Sequence, residues 1–325
     1  MTAPPESPRP QLEHLGRRLM LPAVLGVLAL VGLALVADAR DLARSLRSFD
    51  PWLLVPVLIL SLVNYGLRFV RWQIYLRRLE VSLPMMRSLA IFLVGFLLSV
   101  TPGKAGELGK AWLVRELGGG QARRVVPAVL AERVTDLLGV ILLLAVGALA
   151  FPAGGWMAAG GVAVVIATAA LLSWRRAARG VFSLAGRLPR VGRHVHHLEE
   201  MYEGLRQLAS PAMMTVGLLL SAVAWGAEGI GFLIVARGYA PEMGLFASLF
   251  DYGASTLAGA LSMLPGGLLA SEGTLAALLG SQGLTTADAA SATLIIRVAT
   301  LWFAVFWGLL ALPWVLRQVR RKSPA

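Results

Sequence analysis

Two stretches of this chain repeat one pattern that few folds can satisfy. Each passes from an apolar segment into a Pro-Gly break, then to a glutamate, then to an arginine embedded in the next apolar segment. In the first, Pro102-Gly103-Lys104-Ala105-Gly106-Glu107 leads to Arg133; in the second, Pro265-Gly266-Gly267 leads to Glu272 and Arg297. The proline-to-arginine separations are 31 and 32 residues, and the glutamate-to-arginine separations 26 and 25. Upstream of both stands the frame Ser-x-Val-x-aromatic-Gly, at Ser61 to Gly66 and at Ser221 to Gly226. Proline donates no backbone hydrogen bond and glycine takes positive φ, so a helix stops at each break. In hydrocarbon the freed backbone groups need protein partners or a water-filled cavity. A duplicated unit with broken helices and buried charge implies a transporter-like core.

The chain reads as a membrane protein throughout. Hydrophobic residues make up 57% of it and charged residues 15%, and apolar runs of about 20 residues, enough to cross a bilayer, recur along it. Eight hydrophobic segments fall at 20–37, 52–75, 88–116, 125–150, 155–174, 211–236, 245–282 and 289–316, the third and seventh interrupted by the Pro-Gly breaks. The expected fold is an all-α polytopic bundle with an inverted repeat. It has six full spans and two re-entrant broken hairpins, with eight full crossings as the alternative. The domain reading is a polar cytoplasmic tail at 1–19, one transmembrane domain at 20–318 and a second tail at 319–325. Within the domain, repeat 1 covers 52–150, a linking span and basic loop cover 155–210, and repeat 2 covers 211–316.

A net charge of +12 invites a nucleic-acid reading, and its distribution removes it. With both hairpins re-entrant, 23 of the 30 Lys and Arg fall on the side of the N-terminus and 4 on the other. Arg68, Arg133 and Arg297 stay within spans. The positive-inside rule then makes both termini cytoplasmic, in a bacterial inner membrane, and makes the two units inverted copies. No cysteine is present, so no disulfide framework or Cys-based metal site exists.

Charge inside an apolar run is costly and faces the protein interior. Glu132 and Asp136 share a helix face, with Arg133 beside it. Asn64, Arg68, Arg71 and Tyr75 form a stripe at spacings of 4, 3 and 4. Arginine's planar fork matches phosphate oxygens, so this stripe fits a lipid phosphate, while Arg71 alone fits a side chain snorkelling to the head groups. Glu228 and Asp251 lie deep in apolar runs without a nearby opposite charge. Arg297 or Arg68 are their candidate partners, and a protonated state suited to proton-coupled movement is the alternative. His194, His196 and His197 with following glutamates read as a basic cytoplasmic linker rather than a metal site. Trp72, Trp112, Trp156 and Trp174 read as interfacial anchors.

Taken together, Leu67-Arg68-Phe69-Val70-Arg71-Trp72, Thr101-Pro102-Gly103-Lys104-Ala105-Gly106-Glu107-Leu108-Gly109-Lys110, Glu132-Arg133-Val134-Thr135-Asp136 and Pro265-Gly266-Gly267 with Glu272 resemble the lysylphosphatidylglycerol synthase transmembrane (flippase-like) family. The resemblance runs from about residue 20 to 318 and departs at Leu269-Ala270, where many members carry a glycine-rich turn. It implies a lipid flippase, with substrates among anionic phospholipids, aminoacylated phospholipids and polyprenyl-phosphate lipids. The longest polar stretch, 174–210, is too short for a catalytic domain of about 100 residues. The chain is therefore expected to act without a synthase, cofactor or metal. An intramembrane enzyme or accessory subunit in lipid-linked glycan or aminoacyl-lipid assembly is the second reading. The residues expected at a substrate or translocation site are Asn64, Arg68, Arg71, Pro102, Gly103, Lys104, Glu107, Glu132, Arg133, Asp136, Glu228, Asp251, Pro265, Gly266, Glu272 and Arg297. In the last reading from sequence, Glu107 pairs with Arg133 and Glu272 with Arg297.

Overall fold

Proline and glycine divide the chain into helices much as the apolar runs require. The computed structural model describes residues 38–101, 106–173 and 203–322, with side chains of 171–173 and 322 excepted. The first apolar run, the tip Pro102-Gly103-Lys104, the histidine-bearing stretch and Trp174 lie outside the described residues. All described regular structure is helical.

Helix α1 (Ala39–Ser48) starts on the Asp38 carboxylate, which accepts from the Arg40 N–H, and a 3₁₀ turn at Pro51–Leu53 starts on Asp50 in the same way. The first half then reads α2 (Leu54–Arg78), α3 (Met85–Ser99), α4 (Gly109–Glu116) and α5 (Ala122–Gly147). Helix α6 (Gly154–Ser173) follows. The second half repeats the order with α7 (Pro211–Arg237), α8 (Leu245–Leu261), α9 (Ala270–Ser281), and a rod of α10 (Thr286–Arg297), a π turn (Val298–Trp302) and α11 (Phe303–Lys322). Among the described residues, four helical stretches have the length and apolarity to cross a membrane: Pro51–Arg78, Ala122–Ala150, Pro211–Arg237 and Thr286–Arg321.

Packing follows the duplication. Helix α2 lies against its counterpart α7. Helix α3, from the first half, packs on α11 of the second, and α8, from the second, packs on α5 of the first. The α5–α8 crossing is close because Gly147 has no side chain: a Cβ there would collide with the Phe250 backbone nitrogen. Around its apolar core the bundle also buries charge and exposes apolar side chains, unlike a soluble bundle. Glu107, Lys110, Glu132, Asp136, Glu228 and Arg71 are buried, while Ile59, Val63, Leu219, Val223, Leu310 and Trp156 are exposed. Lipid supplies the apolar surroundings that a soluble protein must build for itself.

Trp72 corrects one expectation. It is fully buried and its indole N–H donates to Ser88 Oγ at 3.1 Å, so it belongs to the core and not to an interface. Trp156, near the start of α6, is by contrast 86% exposed.

Candidate functional site

The second Pro-Gly break fixes the site's floor. Leu264, extended at φ −69°, ψ 149°, leads into Pro265, and Gly266 and Gly267 take φ of 64° and 67°. Gly267 also lies against Gly259 of α8, where a Cβ would come within 2.9 Å of the Gly259 Cα. Leu269 completes the turn at φ 70°, ψ −49°. That conformation costs a side-chain-bearing residue on the order of 1–3 kcal/mol. Leu269, where the expected turn is glycine-rich, therefore strains the backbone.

The turn is held by an arginine from the next helix. Arg297 Nε donates to Glu272 Oε1 at 2.6 Å and its Nη2 donates to the Gly266 carbonyl at 3.0 Å. One guanidinium thus joins α10, the start of α9 and the break. In the first half, Arg133 Nη2 lies 2.5 Å from Glu107 Oε2, without hydrogen-bond alignment among the described residues. Both pairs expected from the repeat spacing are present.

Asp136 organises the first half. Its Oδ1 accepts from Arg71 at 2.8 Å, from Ser221 Oγ at 3.1 Å and from the Trp225 indole at 3.3 Å. Its Oδ2 lies 3.4 Å from Arg68 and 3.9 Å from Arg133. Two of these donors, Ser221 and Trp225, come from α7, so the carboxylate ties the halves together. Arg68 is further set between the rings of Phe96 and Trp225, 5.3 and 5.7 Å from their centroids. Opposite α2, the π turn presents two carbonyls: Ser61 Oγ donates to Ala299 O at 2.8 Å and Tyr65 OH to Thr300 O at 2.6 Å.

Between these groups lies a cavity of about 100 Å³. Arg68, Arg133 and Arg297 all reach it, as do Glu228, Tyr65, Trp225, Tyr252 and the Gly266–Gly267 backbone. Their elements belong to both halves. The three arginine side chains retain 13%, 26% and 15% exposure respectively, so none is fully enclosed by protein.

Several expected site residues lie elsewhere. Arg71 is fully buried and committed to Asp136 and Thr135, so it neither snorkels nor lines the cavity. Glu132 is paired with Lys110 at 2.5 Å, away from the cavity wall, and the Lys110 ammonium lies 4.6 Å from the centre of the Trp72 ring. Counting Lys110 and Arg71 with the cytoplasmic charges therefore overstated that side. Without them the sequence count is 21 against 4. Asn64 donates to the Ala224 carbonyl at 2.9 Å and helps join α2 to α7. Glu228 and Asp251 pair with neither Arg297 nor Arg68 among the described residues. Tyr252 OH donates to Glu228 at 2.6 Å, and Gln282 donates to Asp251 at 2.8 Å. Pro265 is buried beneath the turn, with Gly266 at the cavity.

The reading of sequence missed Tyr65, Phe96, Trp225 and Tyr252 as cavity residues. The paired aromatic of the duplicated frame, Tyr65 and Trp225, was the available signal for two of them.

The model of the lysylphosphatidylglycerol synthase TM region matches residues 23–308. The chain belongs to this family. A curated relative, a "UPF0104 membrane protein" of Methanothermobacter thermautotrophicus, is 23% identical over 337 residues, covering 96% of this chain and 98% of its own length. Membership and the four membrane-length helices make the chain a multi-pass membrane protein of the lysylphosphatidylglycerol synthase transmembrane group. The cavity and both arginine–glutamate pairs lie within the matched region.

Proposed function

We propose that this protein moves a phosphate-bearing lipid across the membrane, with the head group passing between the halves and the acyl chains staying in the bilayer. The observation that carries the reading is the convergence of Arg68, Arg133 and Arg297, from both halves, on one cavity beside a helix break. Guanidinium groups bind phosphate oxygens through paired donors. The cavity is smaller than the roughly 300–1,000 Å³ of a typical ligand pocket, so this conformation admits a head-group phosphate and not a whole lipid. The halves must move apart for more to enter.

The proposed topology has both hairpins re-entrant, six full spans and both termini cytoplasmic in a bacterial inner membrane. Arm lengths support it. At about 1.5 Å per residue, α3 and α4 measure about 22 and 12 Å, and α8 and α9 about 26 and 18 Å. All fall short of the ~30 Å hydrocarbon core. The swapped packing of α3 on α11 and α8 on α5 supports an inverted pair of units that rock against each other. The role assigned to the chain is transport without chemical change.

The test is reconstitution of the full chain into liposomes of phosphatidylcholine with a trace of fluorescent phosphatidylglycerol, with no nucleotide or sugar donor present. Loss of outer-leaflet fluorescence to an impermeant quencher, followed over time, reports the crossing. Crossing of unaltered lipid supports the reading. A chemically modified lipid favours the enzyme instead, and absence of movement removes the proposal.

A further inference from the structure

The duplicated frame places Ser61, Tyr65 and Gly66 of α2 opposite Ser221, Trp225 and Gly226 of α7 at a constant offset of 160 residues. The same offset carries Arg68 to Glu228. Both side chains line the cavity. Equivalent positions of the two halves therefore present opposite charges to one space.

Glu228 differs from the other carboxylates around this centre. Glu107 has Arg133, Glu132 has Lys110, Asp136 has Arg71 and Arg68, and Glu272 has Arg297. Among the described residues no Lys or Arg lies within 4.0 Å of Glu228, and its hydrogen-bond partner is the Tyr252 hydroxyl. The groups facing it are Tyr65 and Arg68 from α2, Arg133 and Asp136 from α5, Tyr252 from α8 and Arg297 from α10. The five cations Arg68, Arg71, Lys110, Arg133 and Arg297 exceed the four paired carboxylates by one. Ionised, Glu228 balances these described charges; protonated, it leaves one positive charge among them.

An anion entering the cavity meets three arginines and this carboxylate together. Two like charges about 5 Å apart in a partly dry site weaken binding on the order of a hundredfold. Resting on the lipid-transport reading above, we propose that Glu228 is the binding site of a proton that travels with each anionic head group. In the empty site the ionised carboxylate serves as counter-charge to the cavity arginines. When the phosphate takes over that role, one proton from the entry side binds the carboxylate, and it leaves to the exit side with the lipid. Loaded and empty centres then carry the same net charge, so neither state adds a charge to move through the membrane.

The experiment is calorimetric titration of the purified full chain with short-chain phosphatidylglycerol, in buffers of different ionisation heat, which counts protons taken up per lipid bound. About one proton per lipid is expected, with affinity falling by up to about tenfold per pH unit across the titration range of Glu228. In Glu228→Gln, proton uptake and pH dependence should both disappear. Lipid binding without uptake by the unmodified protein overturns the proton site and leaves the head-group reading standing. No lipid binding by the unmodified protein overturns both. Uptake that persists in Glu228→Gln puts the proton elsewhere and also overturns the assignment. A parallel titration with short-chain phosphatidylethanolamine covers the remaining outcome. Binding of that lipid without proton uptake, and lost in Glu228→Gln, makes Glu228 an ammonium ligand and rejects the proton role. If the variant does not fold, the proton count on the unmodified protein decides alone.

Discussion

Lys110 and Glu132 form a buried ion pair that does not line the cavity, and substitution can separate a structural role from the proposed lipid handling. Both residues are nearly inaccessible, at 3% and 2% exposure, with 2.5 Å between Nζ and Oε2. Lys110→Met leaves the Glu132 carboxylate stranded in the bundle. Removing one partner of a buried pair costs about 3–5 kcal/mol. Glu132→Gln strands the ammonium instead, but that group still faces the Trp72 ring at 4.6 Å. A desolvated cation–π contact recovers about 2 kcal/mol, so this variant should be the milder of the two. The double variant Lys110→Met/Glu132→Leu removes both charges and should return to within about 2 kcal/mol of the parent, or above it. Thermal unfolding in a fixed detergent, read by the fluorescence of the 9 tryptophans, measures all three. At roughly 2–4 °C per kcal/mol, Lys110→Met should lower Tm on the order of 10 °C. Because neither residue lines the cavity, the double variant should retain lipid movement. Additive losses in the double variant, or a Lys110→Met Tm equal to the parent's, would refute the pairing argument. Recovered folding with abolished transport would place Glu132 in the pathway after all.

Arg297→Lys should cut transport at least about tenfold while the protein still folds, because an ammonium cannot reproduce two directed donations to Glu272 and the Gly266 carbonyl. Full transport by that variant in the liposome assay would argue against the bridging role. Leu269→Gly should be more stable than Leu269→Ala, since only glycine relieves a φ of 70°; the reverse order of Tm values would show that the turn is not strained. Hairpin topology can be tested by impermeant thiol reagents, the chain having no cysteine of its own. Cysteine at Leu264 is preferable to Gly267, whose Cβ would collide with Gly259. With cysteines at Gly103 and Leu264, each should resist labelling from the side opposite its hairpin's entry, and ready labelling from that side would show a full crossing.

What was legible in the sequence was whatever the duplication encodes. The helix order, the breaks and the two arginine–glutamate pairs all repeat, and repetition turns weak local signals into a pattern. Long-range partners were not legible. Arg71 meets Asp136 across 65 residues and Lys110 meets Glu132 across 22. Helical periodicity shows which face a side chain occupies, but neighbouring helices decide what it meets there. Charge sorting placed both cations at the cytoplasmic surface because they stand near apolar-run ends, whereas packing drew them inward. Trp72 was misread for the same reason: its nearness to a segment end concealed that the Lys110 ammonium lies over its ring and Ser88 accepts its indole N–H. The π turn at Val298–Trp302 carries no sequence mark, yet it turns two carbonyls toward Ser61 and Tyr65.

The most direct test of the central claim is an experimental density map of the full chain in nanodiscs containing phosphatidylglycerol. The account predicts phosphate density between the halves, within about 4 Å of the guanidinium groups of Arg68, Arg133 or Arg297, with the acyl chains leading outward to the bilayer. Ordered lipid elsewhere, with this cavity occupied only by water under saturating phosphatidylglycerol, would contradict it.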